Sequence, residues 1–254
     1  MTKKVLFIAA THGDESIGPA LLENLSDRED IQGLYESIIG NPRALSEGKR
    51  FLDVDLNRSA PGDSTSETYE MVRASELVAS FKKFDYIIDL HETKANDRIV
   101  VIIPRLCRES FALALAFDIK EILIWPPSSP DVKTGPLVQY AEFGIEIESG
   151  TKSSSKETLG RLQKIVTSFL KEGVGRVARN LSSLDRGIES RDFYLVYGKI
   201  NPADVADVDL RDFEEVDAGH ERFTPLLFGK HQGLIGYKMR KIDGAHVLGF
   251  LSSL

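Results

Sequence analysis

Short apolar runs rich in β-branched residues alternate with longer mixed segments along this chain. The first run, 5–10, stops at Thr11, which is typical of a buried strand that leads into a polar loop. Further runs predicted to be strands occupy residues 34–39, 84–89, 99–103, 121–125 and 140–147. Strands that alternate with helices predict an α/β fold whose largely parallel sheet is covered on both faces.

Helices are predicted where apolar residues recur every three or four positions. Segments 17–25 and 110–117 have this pattern. Ser64 and Glu67 form a capping box, in which each side chain satisfies a free backbone N–H of the first helical turn. We therefore expect a helix to begin there and to bury an apolar stripe at Met71, Ala74, Val78 and Phe81.

A second capping box, Ser154 and Glu157, predicts a helix that ends near Lys171, because Gly173 follows and glycine is common just past a helix end. The sequence Gly-Asn-Pro-Arg at 40–43 predicts a turn between a strand and the next segment.

The pattern changes after residue 184. Short strand-like segments at 193–196, 223–228 and 234–238 are separated by glycine, proline and aspartate, without long helical stretches between them. We therefore predict an α/β domain at 1–184 and a small β-rich appendage at 185–254.

Composition narrows the class of protein. A formal net charge of -7 with no basic block argues against nucleic acid as a partner. The single cysteine, Cys107, excludes an intramolecular disulfide framework and a cysteine-rich zinc site. No apolar run approaches the ~20 residues of a membrane span, and residues 1–4 lead into a strand without a signal-peptide pattern. We expect a soluble, cytoplasmic protein with no membrane partner, and the sequence leaves a homo-oligomer open.

Candidate metal ligands follow two of the predicted strands. His12 and Glu15 follow the first strand in an H-x-x-E spacing, and Gly13 between them lets the backbone turn sharply. His91 follows the strand 84–89. Imidazole and carboxylate are both Zn²⁺ ligands, and three protein ligands leave a fourth position for water or substrate. Because ligands bind beyond the carboxyl ends of such strands, these residues predict one catalytic zinc per chain.

Hydrolysis at such a site needs a general base. Glu146 ends its own apolar strand, Glu148 shares its face if the strand continues, and Glu92 follows His91 directly. We choose Glu146, and Glu148 and Glu92 stay open as alternatives. Asp89 lies on the same side of its strand as His91 and is placed to orient that imidazole.

Each residue also has a plain structural interpretation. His12 can be a hydrogen-bonded turn residue, and Glu15 can favour the dipole of a helix first turn. The polar segment 53–58 can be a solvated turn whose aspartates bond backbone N–H groups. A non-catalytic α/β binding module therefore stays an alternative, and it predicts no stoichiometric zinc.

Five motifs together resemble one enzyme family. They are HGDE at 12–15, NPRA at 41–44, DLNR at 55–58, DLHET at 89–93 and GIE at 144–146. In this order they resemble the succinylglutamate desuccinylase/aspartoacylase family, relatives of the zinc carboxypeptidases, over about the first 150 residues. The resemblance implies a zinc carboxypeptidase-like mixed, mostly parallel sheet flanked by helices.

The resemblance also implies roles for individual residues. The zinc would be held by His12, Glu15 and His91. Glu146 would activate the attacking water, and Arg50 would help to polarise the scissile carbonyl.

Substrate contacts are implied in the same way. Asn57 and Arg58 would hold the α-carboxylate of an amino-acid moiety, for which an arginine fork is well suited. Tyr237 would reach the site from the appendage. The arginine that binds a second carboxylate in aspartoacylases is replaced here by Gly135, with Lys133 nearby as a point charge.

We therefore expect a zinc-dependent deacylase that hydrolyses the amide bond of a small N-acyl amino acid with a carboxylate. A metallocarboxypeptidase acting on short peptides is the alternative, since it shares the metal chemistry and the carboxylate clamp. The acyl group, the physiological metal and the oligomeric state stay open. His220, His231 and His246 have no matching role and are expected to be surface or turn residues.

Overall fold

The computed structural model describes residues 3–125, 136–205, 208–219, 221–231 and 234–252. The strands in these ranges are β1 (Val5–Ala9), β2 (Tyr35–Ile39), β3 (Tyr86–Thr93), β4 (Ile99–Ile103), β5 (Glu121–Ile124), β6 (Gly144–Gly150), β7 (Asp192–Ile200), β8 (Val216–Asp217), β9 (Arg222–His231) and β10 (Leu234–Ile242). The α-helices are α1 (Ile17–Ser26), α2 (Pro42–Glu47), α3 (Tyr69–Phe81), α4 (Arg108–Ala114), α5 (Ser155–Ser168), α6 (Val174–Ser182), α7 (Asp185–Ile188) and α8 (Gly244–Ser252).

These strands form one sheet in the order β2-β1-β3-β6-β4-β5-β7-β10-β9-β8. Strands β2, β1, β3 and β6 run parallel to one another. Strand β4 is antiparallel to β6, and β5 and β7 run parallel to β4. The predicted mixed, mostly parallel sheet is confirmed. The strands predicted after residue 184 continue this sheet, and the domain boundary at that residue stays a prediction.

The two faces of the sheet have different characters because side chains alternate along each strand. Helices α1, α4, α5, α6 and α8 cover one face and bury the largest apolar cluster against it. The opposite face, here called the site face, carries one apolar cluster on β1 under α3 and another on β4, β5, β7 and β10. Ile145 and Ile147 join the first face, so Glu146 and Glu148 project from the site face between its two apolar clusters.

Helix α3 begins later than predicted. It starts at Tyr69, with Thr68 before it, and the capping box at Ser64 and Glu67 lies outside the helix. The buried stripe is Glu70, Ala74, Leu77 and Phe81, whereas Met71 and Val78 are only half-buried. The buried face differs from the predicted one because Glu70, although charged, is buried by the hydrogen bonds that it accepts.

The predicted end of the helix that begins after Ser154 is also wrong. Ser154 caps α5 as expected, since its Oγ accepts the Glu157 N–H at 3.2 Å. A π-helical turn then includes Gly173 and leads into α6. A Cβ on Gly173 would lie 2.6 Å from Phe169 Cδ2 and 3.0 Å from the Ala116 carbonyl oxygen. This glycine permits close packing inside a continuous helix.

The starts of α2 and β6 also differ from the prediction, in each case because of a local structure. Asn41 Oδ1 accepts the Ala44 N–H at 3.1 Å, so the predicted turn at 40–43 is the capped start of α2. The strand predicted from residue 140 begins at Gly144, because 137–140 form a 3₁₀ turn.

Several expectations concern the surface. No helix among the described residues combines the length and apolar character that a membrane span requires. His246 is exposed, and its Nδ1 lies 2.7 Å from Asp243 Oδ1, as expected for a surface residue. Lys133, Gly135 and His220 lie outside the described residues, and so does the side chain of His231.

Asp212 gives the fold a pH-dependent contact. Its Oδ1 accepts the Leu227 N–H at 2.7 Å, and burial raises the pKa of its carboxyl group to about 6. Because the folded state then holds this proton more tightly than the unfolded chain, the contribution of Asp212 to the free energy of unfolding falls as pH rises from about 4 to about 6.

We expect the variant Asp212→Asn to keep the acceptor oxygen and to lose this pH dependence. The difference in free energy of unfolding, variant minus wild type, should increase by up to about 3 kcal/mol from pH 4 to pH 7, as measured by urea denaturation. A difference that stays constant over this range would contradict the raised pKa.

Candidate active site

The structure brings the three predicted metal ligands together on the site face. His12 and Glu15 lie between β1 and α1, and His91 lies near the end of β3. His12 Nδ1 is 2.7 Å from Glu15 Oε1, and His91 Nδ1 is 3.1 Å from Glu15 Oε2. All three residues are buried, and one ligand atom of each lies within 4.8 Å of the others. Such a set can hold one metal ion with three protein ligands.

The backbone reaches this geometry differently from the prediction. Ala10 takes the left-handed conformation at the end of β1, with a φ of 53°. Gly13 is needed for close approach, because a Cβ there would lie 2.2 Å from the Ala44 carbonyl carbon and 2.3 Å from Leu45 N. The loop carrying His12 and Glu15 therefore lies directly against the start of α2.

We expect Gly13→Ala to be strongly destabilising because backbone atoms surround the added methyl group. The free energy of unfolding should fall by at least about 1–3 kcal/mol, the usual cost of overpacking. Gly160→Ala is the matched control, since a Cβ at this exposed position of α5 meets nothing within 4 Å. Equal stability of the two variants, measured by thermal unfolding, would contradict this packing role.

The second nitrogen of each histidine faces a carboxylate. His12 Nε2 lies 3.0 Å from Asp55 Oδ1, and His91 Nε2 lies 3.1 Å from Asp89 Oδ2 without a well-directed hydrogen bond. Asp89 also accepts the Thr11 hydroxyl at 2.9 Å. Carboxylates in these positions leave each Nδ1 directed at Glu15 and thus at the ligand set.

Asp89 therefore lies where the strand pattern placed it, whereas the contact of Asp55 was missed. Asp55 does form the predicted turn bond, since its Oδ1 accepts the Asn57 N–H at 2.9 Å. Its motif, DLNR, was the available signal, but no sequence spacing links residue 55 to residue 12.

Glu92 has a different role from the candidate base. Its Oε2 accepts the N–H groups of Ser16 at 2.6 Å and Ile17 at 2.9 Å, at the start of α1. Its own N–H donates to Glu15 Oε2 at 3.0 Å. Glu92 thus ties the two ligand segments together, and its carboxylate is engaged at the helix terminus.

Glu146 lies beside the ligand set. Its Oε1 is 3.4 Å from His91 Nε2 and accepts the Asn57 Nδ2–H at 2.7 Å. Asn57 Oδ1 in turn accepts the Leu137 N–H at 2.9 Å. The amide of Asn57 thus connects the loop 55–58 to β6 and fixes the direction of the Glu146 carboxylate.

Both predicted arginines border the same site. Arg50 Nη1 donates to Glu15 Oε1 at 3.2 Å, and Arg58 Nη1 donates to the Asn57 carbonyl oxygen at 2.9 Å. Both side chains are half-buried. Tyr237 lies further along the sheet, on β10, where its ring packs edge-on against Trp125 with centroids 4.4 Å apart. Its predicted contact with substrate stays a prediction.

The charges of the site suit a cation. Burial would lower the pKa of His91, but Asp89 and Glu15 outweigh it and hold that pKa well above its usual value. Burial and the charge of Glu15 raise the pKa of Glu148 to about 8. The carboxyl groups that surround the two imidazoles are those of Glu15, Asp55, Asp89, Glu146 and Glu148. Nitrogen and oxygen donors with this excess of acidic groups fit a divalent metal such as Zn²⁺.

Known proteins share this sequence pattern. Residues 1–172 match the family described as the succinylglutamate desuccinylase/aspartoacylase catalytic domain. A "probable aspartoacylase" of Prochlorococcus marinus (strain MIT 9215) is 32% identical over 202 residues, which are 72% of this chain and 66% of the relative. A "probable aspartoacylase" of Nostoc sp. is 25% identical over 253 residues, which are 88% of this chain and 84% of the relative. The chain thus spans about two thirds of the length of its Prochlorococcus relative.

Solved structures share the fold. Murine aminoacylase 3 superposes with a TM-score of 0.70 at 19% identity, covering 95% of this chain and 96% of that one. The succinylglutamate desuccinylase of Chromobacterium violaceum superposes with a TM-score of 0.68 at 18% identity, covering 95% and 85%. At these identities the likeness concerns the fold alone.

Proposed function

Because the chain belongs to the succinylglutamate desuccinylase/aspartoacylase family, a family of N-acyl amino acid deacylases, we propose that it is a zinc-dependent hydrolase of a small N-acyl amino acid. The observation that carries this proposal is the convergence of His12, Glu15 and His91 within 4.8 Å, with Glu146 beside them. Residues from three separate segments meet there. If each of them only stabilised its own turn, this convergence would not be expected.

We assign the metal to His12, Glu15 and His91. A bound Zn²⁺ supplies Lewis-acid chemistry, which acidifies water and polarises a carbonyl group. Arg50 lies beside Glu15 and supplies a second positive group for the developing charge on the carbonyl oxygen.

We assign the general base to Glu146. Burial would raise the pKa of Glu146, but the charge of His91 and the hydrogen bond from Asn57 outweigh it and hold that pKa below its usual value, so the carboxylate is ionised and can accept a proton. Glu146 takes a proton from the attacking water as the oxygen bonds to the carbonyl carbon. It then passes that proton to the amide nitrogen as the carbon–nitrogen bond breaks, which releases the free amine and the carboxylic acid.

We assign the carboxylate of the amino-acid moiety to Arg58, whose half-buried side chain donates to the Asn57 carbonyl oxygen and whose positive charge acts on Glu146. In the described arrangement the amide of Asn57 is engaged by Glu146 and Leu137, so its predicted contact with substrate requires that it share these bonds. Tyr237 stays a candidate on the far side of the site face. The acyl group is left open.

A panel of N-acyl amino acids, assayed by release of the free amine from the zinc-loaded protein, tests the proposal. We expect the zinc-loaded protein to hydrolyse at least one member of the panel. After a chelator has removed the metal, we expect no turnover. The alternative, a metallocarboxypeptidase, predicts faster turnover of short peptides than of N-acyl amino acids. A non-catalytic binding module predicts neither activity nor one equivalent of zinc.

A further inference from the structure

A buried carboxylate outside the site holds one of its loops. Glu70 lies on α3 with no exposed surface. Its Oε1 accepts the Leu52 N–H at 2.7 Å and the Asn41 Nδ2–H at 3.1 Å. Its Oε2 accepts the Asp53 N–H at 3.2 Å and the Val54 N–H at 3.4 Å. One side chain thus receives three consecutive backbone donors of the same loop.

This loop, residues 50–58, is here called the site loop. It carries Arg50, which contacts Glu15, and Asp55, which contacts His12. It also carries Asn57, which contacts Glu146, and Arg58 next to it. Three predicted site residues, Arg50, Asn57 and Arg58, therefore lie on the loop whose backbone N–H groups Glu70 accepts.

Side-chain packing contributes little at the centre of the site loop. Asp53 is exposed, and Val54 is 39% exposed. Burial would raise the pKa of Glu70, but the donated N–H groups keep it below its usual value, so the carboxylate stays ionised. Hydrogen bonds to an ionised group are stronger than neutral ones, and several of them act together here.

We propose that Glu70 is a positioning residue, which fixes the site loop so that Arg50, Asn57 and Arg58 are held against the metal ligands. The kinetic part of this inference rests on the proposed function. Its structural part, the order of the loop backbone, can be measured without any activity.

The test variant is Glu70→Gln, which keeps the shape of the side chain. An amide has one acceptor oxygen and a donor NH₂ group, so it cannot receive all of the N–H groups that Glu70 receives. We expect the amides of Leu52 and Asp53 to exchange their hydrogen at least about tenfold faster. We expect kcat/KM to fall by about 10–100-fold, the range by which loss of an orienting residue lowers activity. Most of this change should be a rise in KM, because Arg58 on the site loop is assigned to the substrate carboxylate. At saturating zinc the metal content should stay at the wild-type level, because the three ligands lie on other segments.

Leu162→Ala is the control. Leu162 is buried on α5 in the apolar cluster on the other face of the sheet, which contains no residue of the site loop, so its truncation lowers stability by loss of packing alone. At a temperature well below both unfolding midpoints, this variant should keep wild-type KM and wild-type exchange at Leu52 and Asp53. An equal rise of KM in both variants would make Glu70 merely structural and would overturn the inference.

The wild-type protein provides a measurement that needs no variant to fold. If Leu52 and Asp53 exchange as fast as an unprotected peptide, Glu70 does not fix the loop and the inference is wrong. If the wild type hydrolyses no N-acyl amino acid, the proposed function fails, whereas the exchange rates still decide the structural role of Glu70.

Discussion

Replacement of Glu146 by glutamine is expected to lower kcat by about 10²–10⁴-fold while the protein keeps its zinc. Glutamine preserves the size of the side chain, and its oxygen can still accept the Asn57 Nδ2–H that Glu146 accepts at 2.7 Å. It cannot take a proton from water, so the loss should appear in kcat much more than in KM. The measurements are steady-state kinetics on the best substrate of the panel and elemental analysis of the same preparation.

Glu142→Gln is the control for this experiment. Glu142 precedes the same strand but is exposed, so its variant should keep wild-type turnover. Near-normal kcat in Glu146→Gln would remove Glu146 as the base and would leave Glu148, two residues further along the same face of β6, as the candidate to replace next. A loss of zinc in Glu146→Gln would mean that Glu146 acts on the metal site and not only on the proton.

The strands could be predicted because each buried strand is a short run of mostly apolar residues in the sequence. Strands β4 and β6 are buried along their whole length, and the first of these coincides with the predicted run 99–103. Glu146 and Glu148 interrupt an apolar pattern at every second position, and this alternation is what a strand with one polar face requires. The fold and the position of the site at the strand ends could therefore be inferred from local patterns.

Contacts between distant segments could not be inferred in this way. The helix pattern predicts that Glu70 is exposed, because it is charged. Its donors at Leu52 and Asp53 lie on a distant loop, about which helix periodicity gives no information. Asp55 likewise reads as a turn former, and only the folded chain brings it to His12. Both residues bind groups that have no repeating position in the sequence, so periodicity carries no signal for them.

Glycine shows the same limit. The sequence predicts a turn at Gly13 and a helix end before Gly173, both from the backbone freedom of glycine. In the structure both serve close packing, against Ala44 and against Phe169. A glycine allows both explanations, and the choice depends on neighbours that the local sequence does not show.

Replacement of His91 by alanine is expected to abolish stoichiometric zinc binding. His91 supplies one of three predicted ligands, and loss even of an outer partner commonly weakens metal binding 10–100-fold, so loss of a ligand should cost at least the upper end of that range. Removal of the imidazole also takes one partner, at 3.1 Å, from each of the buried carboxylates of Glu15 and Asp89. Glu15 keeps His12 and Asp89 keeps the Thr11 hydroxyl, so the free energy of unfolding should fall by no more than the about 3–5 kcal/mol typical of a broken buried pair.

Equilibrium dialysis against a fixed zinc concentration, followed by elemental analysis, measures the first effect, and urea denaturation after chelation measures the second. His246→Ala is the control, because that histidine is exposed at the start of α8 and should affect neither zinc content nor stability. If His91→Ala kept one equivalent of zinc at wild-type affinity, the ion would have to bind elsewhere. Glu146 would then have no metal beside it, and the hydrolysis proposed for this face of the sheet would lose its physical basis.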